Sequence, residues 1–357
     1  MAEPINAQNH RFFAAANSGG GFKNYFDDIF PSDRHNGVFI LKGGPGTGKS
    51  TLLREAVDRF SCPNIEVEIF HCSSDPKSLD GVIFRYGERS ACILDGTAPH
   101  ERDARLPGAT DEIINLGECF DTRCLRAKKA EILSLQQKKS HAYKEAYFYL
   151  RLFSIFEENI KAEIEKRLKR DAVKVWLQQH FHKKSNAEFS VRPFKAFCKD
   201  GIVSLDSYEK IAKETVFIQG DPMECAVLLS EIYSLLSKEG QGGYYAPSPL
   251  IPDLLDGLLL NDFKTAVVIT ECERPDGIIA SEFFFSQDDT AKEKIEKYKK
   301  EAARFLTAAK EALAVASTHH FELEQIYTPA MHFEQMRPMK EALFKKIGAI
   351  LGLTEFS

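Results

Sequence analysis

Val38-Phe39-Ile40-Leu41-Lys42-Gly43-Gly44-Pro45-Gly46-Thr47-Gly48-Lys49-Ser50-Thr51 is the stretch on which the reading of this chain turns. Its first four residues are an apolar run after the turn signal Asn36-Gly37, which predicts a buried strand. Gly43 to Ser50 matches G-x-x-x-x-G-K-[ST] at every fixed position. Thr51-Leu52-Leu53-Arg54-Glu55-Ala56-Val57 then opens a helix with one apolar face. Strand, glycine loop and helix are the setting of a phosphate-binding (Walker A) P-loop. Glycines take backbone angles that other residues resist, so successive N–H groups turn inward and cradle an anion. The helix adds the positive end of its dipole. Gly43, Gly44, Pro45, Gly46, Thr47, Gly48, Lys49, Ser50 and Thr51 are therefore the expected nucleotide-binding residues. Lys49 is suited to the β- and γ-phosphates and Ser50 to Mg²⁺.

Such a site needs a second strand that ends in an acid for the metal. Ser90-Ala91-Cys92-Ile93-Leu94-Asp95 supplies it, and Gly96-Thr97 turns the chain, so Asp95 is the second expected Mg²⁺ ligand. Gly96 stands where many ATPases carry a glutamate, so the group that orients the attacking water must come from elsewhere. Ile65–Phe70 alternates as a strand and runs into His71-Cys72-Ser73-Ser74-Asp75. Ligands of α/β sheets lie beyond the carboxyl ends of strands, which brings forward Asp75, and Glu101 in the loop Thr97–Glu101, as water-orienting acids. His71 and His100 fit either that edge or an ordinary structural role. Arg123, Arg126, Lys128, Lys129, Lys138 and Lys139 read as a solvated helix face, and an arginine among them, or Arg102 or Arg105, is an open candidate for a finger on the γ-phosphate.

The second half repeats the first. Leu52-Leu53-Arg54-Glu55 matches Leu228-Leu229-Ser230-Glu231, Asp80-Gly81 matches Asp256-Gly257, and Ala91–Asp95 matches Val267–Glu271, all at one shift. Val38-Phe39-Ile40 matches Val216-Phe217-Ile218 with two residues lost in between. The loss falls in the glycine loop, where Gly220-Asp221-Pro222-Met223-Glu224-Cys225-Ala226 stands. Cys225 replaces the lysine and Ala226 the serine, and Glu224 would repel a phosphate. The expected second half keeps the fold and lacks the phosphate site.

From Glu118 to Arg192 there is neither Gly nor Pro, and apolar residues recur at helical spacing from Tyr143 to Leu168. This predicts long helices with a turn near His180–Ser185. Thr290–Leu351 carries a similar pattern. The stripes read as packing faces, or as a surface for a protein partner that responds to nucleotide. The expected domains are 1–185, with the active loop and a helical hairpin, and 186–357, with the degenerate loop and C-terminal helices.

Hydrophobic residues are 43% and charged residues 28% of the chain, and no apolar run is long enough for a bilayer. A net charge of −5 speaks against a general nucleic-acid binder. With no signal-like start, the expected location is cytoplasmic. The eight cysteines show no Cys-x-x-Cys pair and read as reduced thiols.

Phe39–Thr51, Phe70–Asp75 with Ser78–Gly81, and Ile93–His100 together resemble the signatures of an uncharacterised group of bacterial tandem P-loop ATPases. The resemblance covers most of the chain. It implies P-loop NTPase parallel sheets in tandem, each with an appended long helical segment, and ATP with Mg²⁺ as cofactors. In that family the second copy can carry its own GKS-type loop, from which this chain departs. The expected activity is ATP hydrolysis, with Lys49, Asp95 and either Asp75 or Glu101 as the working residues. Two alternatives are a kinase acting on a small molecule and a non-catalytic, ATP-dependent interaction module. No Asn-Lys-x-Asp or LSGGQ-like motif is present, which disfavours a GTPase and a transporter ATPase.

Overall fold

The computed structural model describes residues 9–181, 188–260 and 264–353. In chain order the first elements are β1 (Asn9–Phe13), β2 (Ala15–Ser18), β3 (Gly21–Asn24), α1 (Phe26–Ile29), β4 (Gly37–Lys42) and α2 (Lys49–Phe60). Then come β5 (Glu66–His71), β6 (Leu79–Tyr86), β7 (Arg89–Asp95), β8 (Asp111–Asn115), α3 (Thr122–Ala127), α4 (Lys129–Arg167) and α5 (Arg170–His180). The later elements are β9 (Phe189–Val191), β10 (Lys195–Cys198), β11 (Gly201–Ser204), α6 (Ser207–Ile211), β12 (Glu214–Gln219), α7 (Pro222–Lys238) and β13 (Gly243–Pro247). β14 (Leu255–Leu260), β15 (Thr265–Ile269), β16 (Ile278–Ile279), α8 (Ala280–Phe283), α9 (Asp289–Tyr327) and α10 (Phe333–Leu351) complete it.

Two six-stranded sheets have the same order and the same orientations. The first runs β1-β5-β6-β7-β4-β8 and the second β9-β13-β14-β15-β12-β16. In each, the two pairs around the third strand are antiparallel and the other three pairs are parallel. The sheets are thus mixed, not purely parallel as expected. The reason is local: Gly87, at φ +60°, and Glu88 join β6 to β7 by a turn too short for a crossover, so these strands must be antiparallel.

Register refines the sequence repeat. An irregularity between Phe70 and His71 recurs between Ala246 and Pro247, at the expected shift of 176 residues (246 − 70). After it the copies slip. Gly81 pairs with Leu94, whereas Gly257 pairs with Val268, so the second hairpin is two residues shorter and Ile269, not Glu271, stands in register with Asp95. Leu41 pairs with Asp95 and Ile218 with Ile269, which sets Leu41 against Ile218. The larger change is in the connection: residues 43–48 join β4 to α2, but only Gly220 and Asp221 join β12 to α7.

The described residues form two compact units, and these are not consecutive halves. One holds residues 9–14, 24–144 and 312–353, the other 15–23 and 145–311. The division expected at 185 therefore differs, and hydrophobic packing explains the difference. Leu343, Phe344, Ile347 and Leu351 of α10 enter the core that Phe39, Leu41, Leu52, Leu53, Val67 and Ile93 build in the first unit. α5 packs Val173 and Leu177 with α7 and the second sheet. α4 and α9, each of 39 residues, supply residues to both units. Beyond His180–Phe181, the expected turn lies outside the described residues. Among the described residues no helix is long and apolar enough to cross a membrane.

Candidate functional site

The glycine loop leaves β4 at Lys42 and enters α2 at Lys49. Gly46 and Gly48 take φ of +69° and +81°, the left-handed region where a side chain is strained. Thr47 is buried and its hydroxyl donates to Gly44 O at 2.9 Å, pinning the turn. Gly48 is the N-cap of α2 and provides no side-chain acceptor, so the first-turn amides of the helix have no capping group. Such a terminus attracts an anion. α7 is the opposite case. The Asp221 carboxylate accepts from the amides of Met223 and Glu224, at 3.0 and 3.2 Å, and Lys299 pairs with it. Glu224, which replaces a loop residue, is spent on a buried pair with Arg167 at 2.9 Å.

Lys49 donates to Gly43 O and Gly44 O at 2.9 and 3.0 Å and lies 3.6 Å from Asp95 Oδ2. Asp95 reaches it because β7 is the direct neighbour of β4 and pairs Asp95 with Leu41. The N–H and hydroxyl of Thr97 both donate to Asp95 Oδ1, at 2.9 and 2.6 Å, which leaves Oδ2 turned to Lys49. Gly96 must be glycine. A Cβ there would stand 2.3 Å from the Ile40 side chain, so no glutamate fits after Asp95. Ser50 Oγ accepts the Leu79 N–H at 3.0 Å, and this bond brings the start of β6 to the loop.

That bond brings to the site a residue that the sequence offered as a mark of the repeat and of the Ser78–Gly81 signature, without a chemical role. Asp80 follows Leu79 and is buried beside Asp95 and His100. His100 Nε2 stands 4.0 Å from both Asp80 Oδ1 and Asp95 Oδ2, and its ring stacks on Phe26 at 4.6 Å. Burial raises the Asp80 carboxyl to about 6 against the pull of His100. Burial would also raise Asp95, but His100 and Lys49 outweigh it and hold that carboxyl low. His100 is raised, because the two aspartates overcome its burial. The signal was legible: Asp80 is a single carboxylate within the apolar run Leu79–Phe84.

The other candidates separate. Asp75 and Glu101 are both exposed. The Asp75 charge still acts on Tyr143 of α4 and Glu324 of α9. His71 is structural, its ring nitrogens held by Pro76 O at 2.7 Å and Arg11 at 3.2 Å. Arg102 is buried and donates to Phe26 O and Ser32 Oγ, while Arg105 pairs with Asp27. Arg123, Arg126, Lys128, Lys129 and Lys138 are exposed. Lys139 differs: it is half-buried, and burial together with the charge of Lys49 lowers its pKa. The end of α9 closes against the loop. A methyl on Gly44 would meet the rings of Phe120 and Tyr327 at 3.6 Å, and one on Gly46 would meet the Glu324 carbonyl oxygen at 3.3 Å. Thr51 is exposed on the outer side of α2.

Compared with protein-family models, curated proteins and solved structures, the chain finds no match. The resemblance to tandem P-loop ATPases therefore rests on the quoted residues.

Proposed function

We propose that this protein is a Mg²⁺-dependent ATPase whose triphosphate lies on the P-loop Gly43–Thr51. The observation that carries the reading is the convergence of Lys49, Ser50 and Asp95 at an uncapped helix N-terminus, at the carboxyl ends of β4 and β7. The loop amides and Lys49 hold the β- and γ-phosphates. Ser50 and Asp95 offer Mg²⁺ hard oxygen ligands, and Ser50 Oγ still has a lone pair after accepting the Leu79 amide. The ion would offset charge on the phosphate oxygens. Asp75 or Glu101 is the water-orienting acid, and the Asp75 charge reaches Glu324 of α9, the helix whose end closes against the loop. Lys139, half-buried and close enough to feel the charge of Lys49, is a further cation for the γ-phosphate.

The second unit is read as a copy that has lost the cradle. Its two-residue connection has no room for six loop residues, and the Asp221 carboxylate already caps the amides a phosphate would need. The test is calorimetric titration of Mg–ATP into wild type, Lys49→Ala and Cys225→Ala, with ADP release followed with and without phosphoryl acceptors. Binding lost in Lys49→Ala, retained in Cys225→Ala, and acceptor-independent turnover are expected. Strict dependence on an acceptor would make it a kinase, and no turnover a binding module. No binding of any Mg–nucleotide by the folded wild type would end the proposal.

A further inference from the structure

Asp80, Asp95 and His100, all buried, each offer one ligand atom, and these atoms lie within 4.8 Å of one another. Three observations set the group apart from a chance cluster. Asp80 is 5% exposed and its Oδ2 has no hydrogen-bond partner, so the carboxylate is answered only in part, by the His100 ring at 4.0 Å from Oδ1, the Cys72 thiol and the charge of Lys49. Its counterpart in the second unit, Asp256 at the same register position, has a permanent cation instead, the Lys195 ammonium at 3.7 Å. Each ligand is also held from behind. Thr97 fixes Asp95, the Phe26 ring backs His100, and the Leu79–Ser50 bond sets Asp80.

We propose that Asp80, Asp95 and His100 bind a divalent first-row transition metal directly, before nucleotide arrives. A metal about 2.0–2.2 Å from each ligand atom needs the three to close by roughly 1 Å, within reach of side-chain rotation. Two carboxylate oxygens and one imidazole nitrogen favour Zn²⁺, Co²⁺ and Mn²⁺, in falling order, over Mg²⁺. Three protein ligands leave positions open for water or a phosphate oxygen. When the metal takes Asp95 Oδ2, Lys49 keeps Gly43 O and Gly44 O as acceptors. The inference deepens the nucleotide reading, because Asp95 serves both, but it is tested without nucleotide.

Chelator-stripped, nucleotide-free protein is titrated with Mn²⁺, and the free ion is followed by electron paramagnetic resonance. One equivalent per chain is expected, weakened at least about tenfold in Asp80→Asn and in His100→Ala, with Mg²⁺ a poor competitor. Co²⁺ added to wild type should show a visible d–d band with no thiolate charge-transfer band. Circular dichroism checks that the variants fold, and the wild-type stoichiometry and Co²⁺ spectrum do not depend on them. No Mn²⁺ uptake at millimolar concentration, or equal uptake by folded variants, overturns the inference. If Mg–ATP still binds in that case, the ATPase reading stands alone. If metal binds and nucleotide does not, the ATPase reading falls and the metal site remains.

Discussion

Lys49→Met removes the ammonium that faces Asp95, and its consequences can be worked out from the geometry. At 3.6 Å, with both side chains largely buried, the pair attracts by about 4–5 kcal/mol at an effective dielectric of about 20. Much of that is offset because the lysine regains its hydration when the chain unfolds. Asp95 also keeps two bonds from Thr97. The net cost of the variant is therefore about 1–3 kcal/mol, small enough for the fold to survive. Asp95→Asn should cost less, about 1 kcal/mol, since Lys49 retains two carbonyl acceptors. The double variant should show a coupling energy of about 1–3 kcal/mol. The assay is urea unfolding of nucleotide-free protein, read by circular dichroism. The only tryptophan, Trp176, lies in α5 of the second unit, so its fluorescence gives a separate readout from that unit. ATP turnover should fall roughly 10²–10³-fold in Lys49→Met. Coupling below about 0.5 kcal/mol would refute the buried pair, and unchanged turnover would refute the role of the loop.

Three further outcomes are expected. Gly46→Ala puts a Cβ at positive φ and 2.4 Å from the Thr328 hydroxyl, so it should cost about 1–3 kcal/mol in thermal unfolding and weaken Mg–ATP binding. Arg167→Ala leaves the Glu224 carboxylate buried without its partner and should cost about 3 kcal/mol in urea, whereas Arg167→Ala/Glu224→Gln should recover part of it. Burial, with Asp221 nearby, raises the Glu157 carboxyl to about 7 from 4.5. The folded state then holds a proton the unfolded chain has lost, so this stability is present at low pH and fades as pH rises through about 7. Glu157→Gln should therefore gain about 1–2 kcal/mol on wild type between pH 5 and pH 8, measured by chemical denaturation across that range, after allowance for partial solvent exposure.

The loop and Asp95 were legible because one strand–glycine–helix pattern and one apolar run ending in a carboxylate specify local backbone directly. The antiparallel β6 was not singled out, although Val82-Ile83-Phe84 and the turn at Gly87 carried its signal. The repeat was legible as a constant shift until the hairpins changed length, since an alignment of residues cannot see which strand pairs opposite which. Exchanging Glu271 for Ile269 beside Ile218 needed the hydrogen-bond register. The division into units was hidden for another reason. Sequence order says nothing of which sheet a terminal helix covers, and α10 covers the one formed first along the chain. Asp80 and His100 were each visible in the sequence, but their meeting was not: they are twenty residues apart by number (100 − 80) and adjacent only once β6 and β7 are paired.

That return of α10 to the first sheet sets a timetable for the ribosome. The face bearing Phe39, Leu41, Val67 and Ile93 emerges early, but Leu343, Phe344 and Ile347 are made some three hundred residues later, as the numbering shows. Residues 15–23 and 145–311 can assemble while synthesis continues. The unit with the glycine loop cannot complete its interior until translation has passed α10. A nascent chain stalled before Phe333 would carry the whole Lys49 motif and still present an uncovered apolar sheet to chaperones.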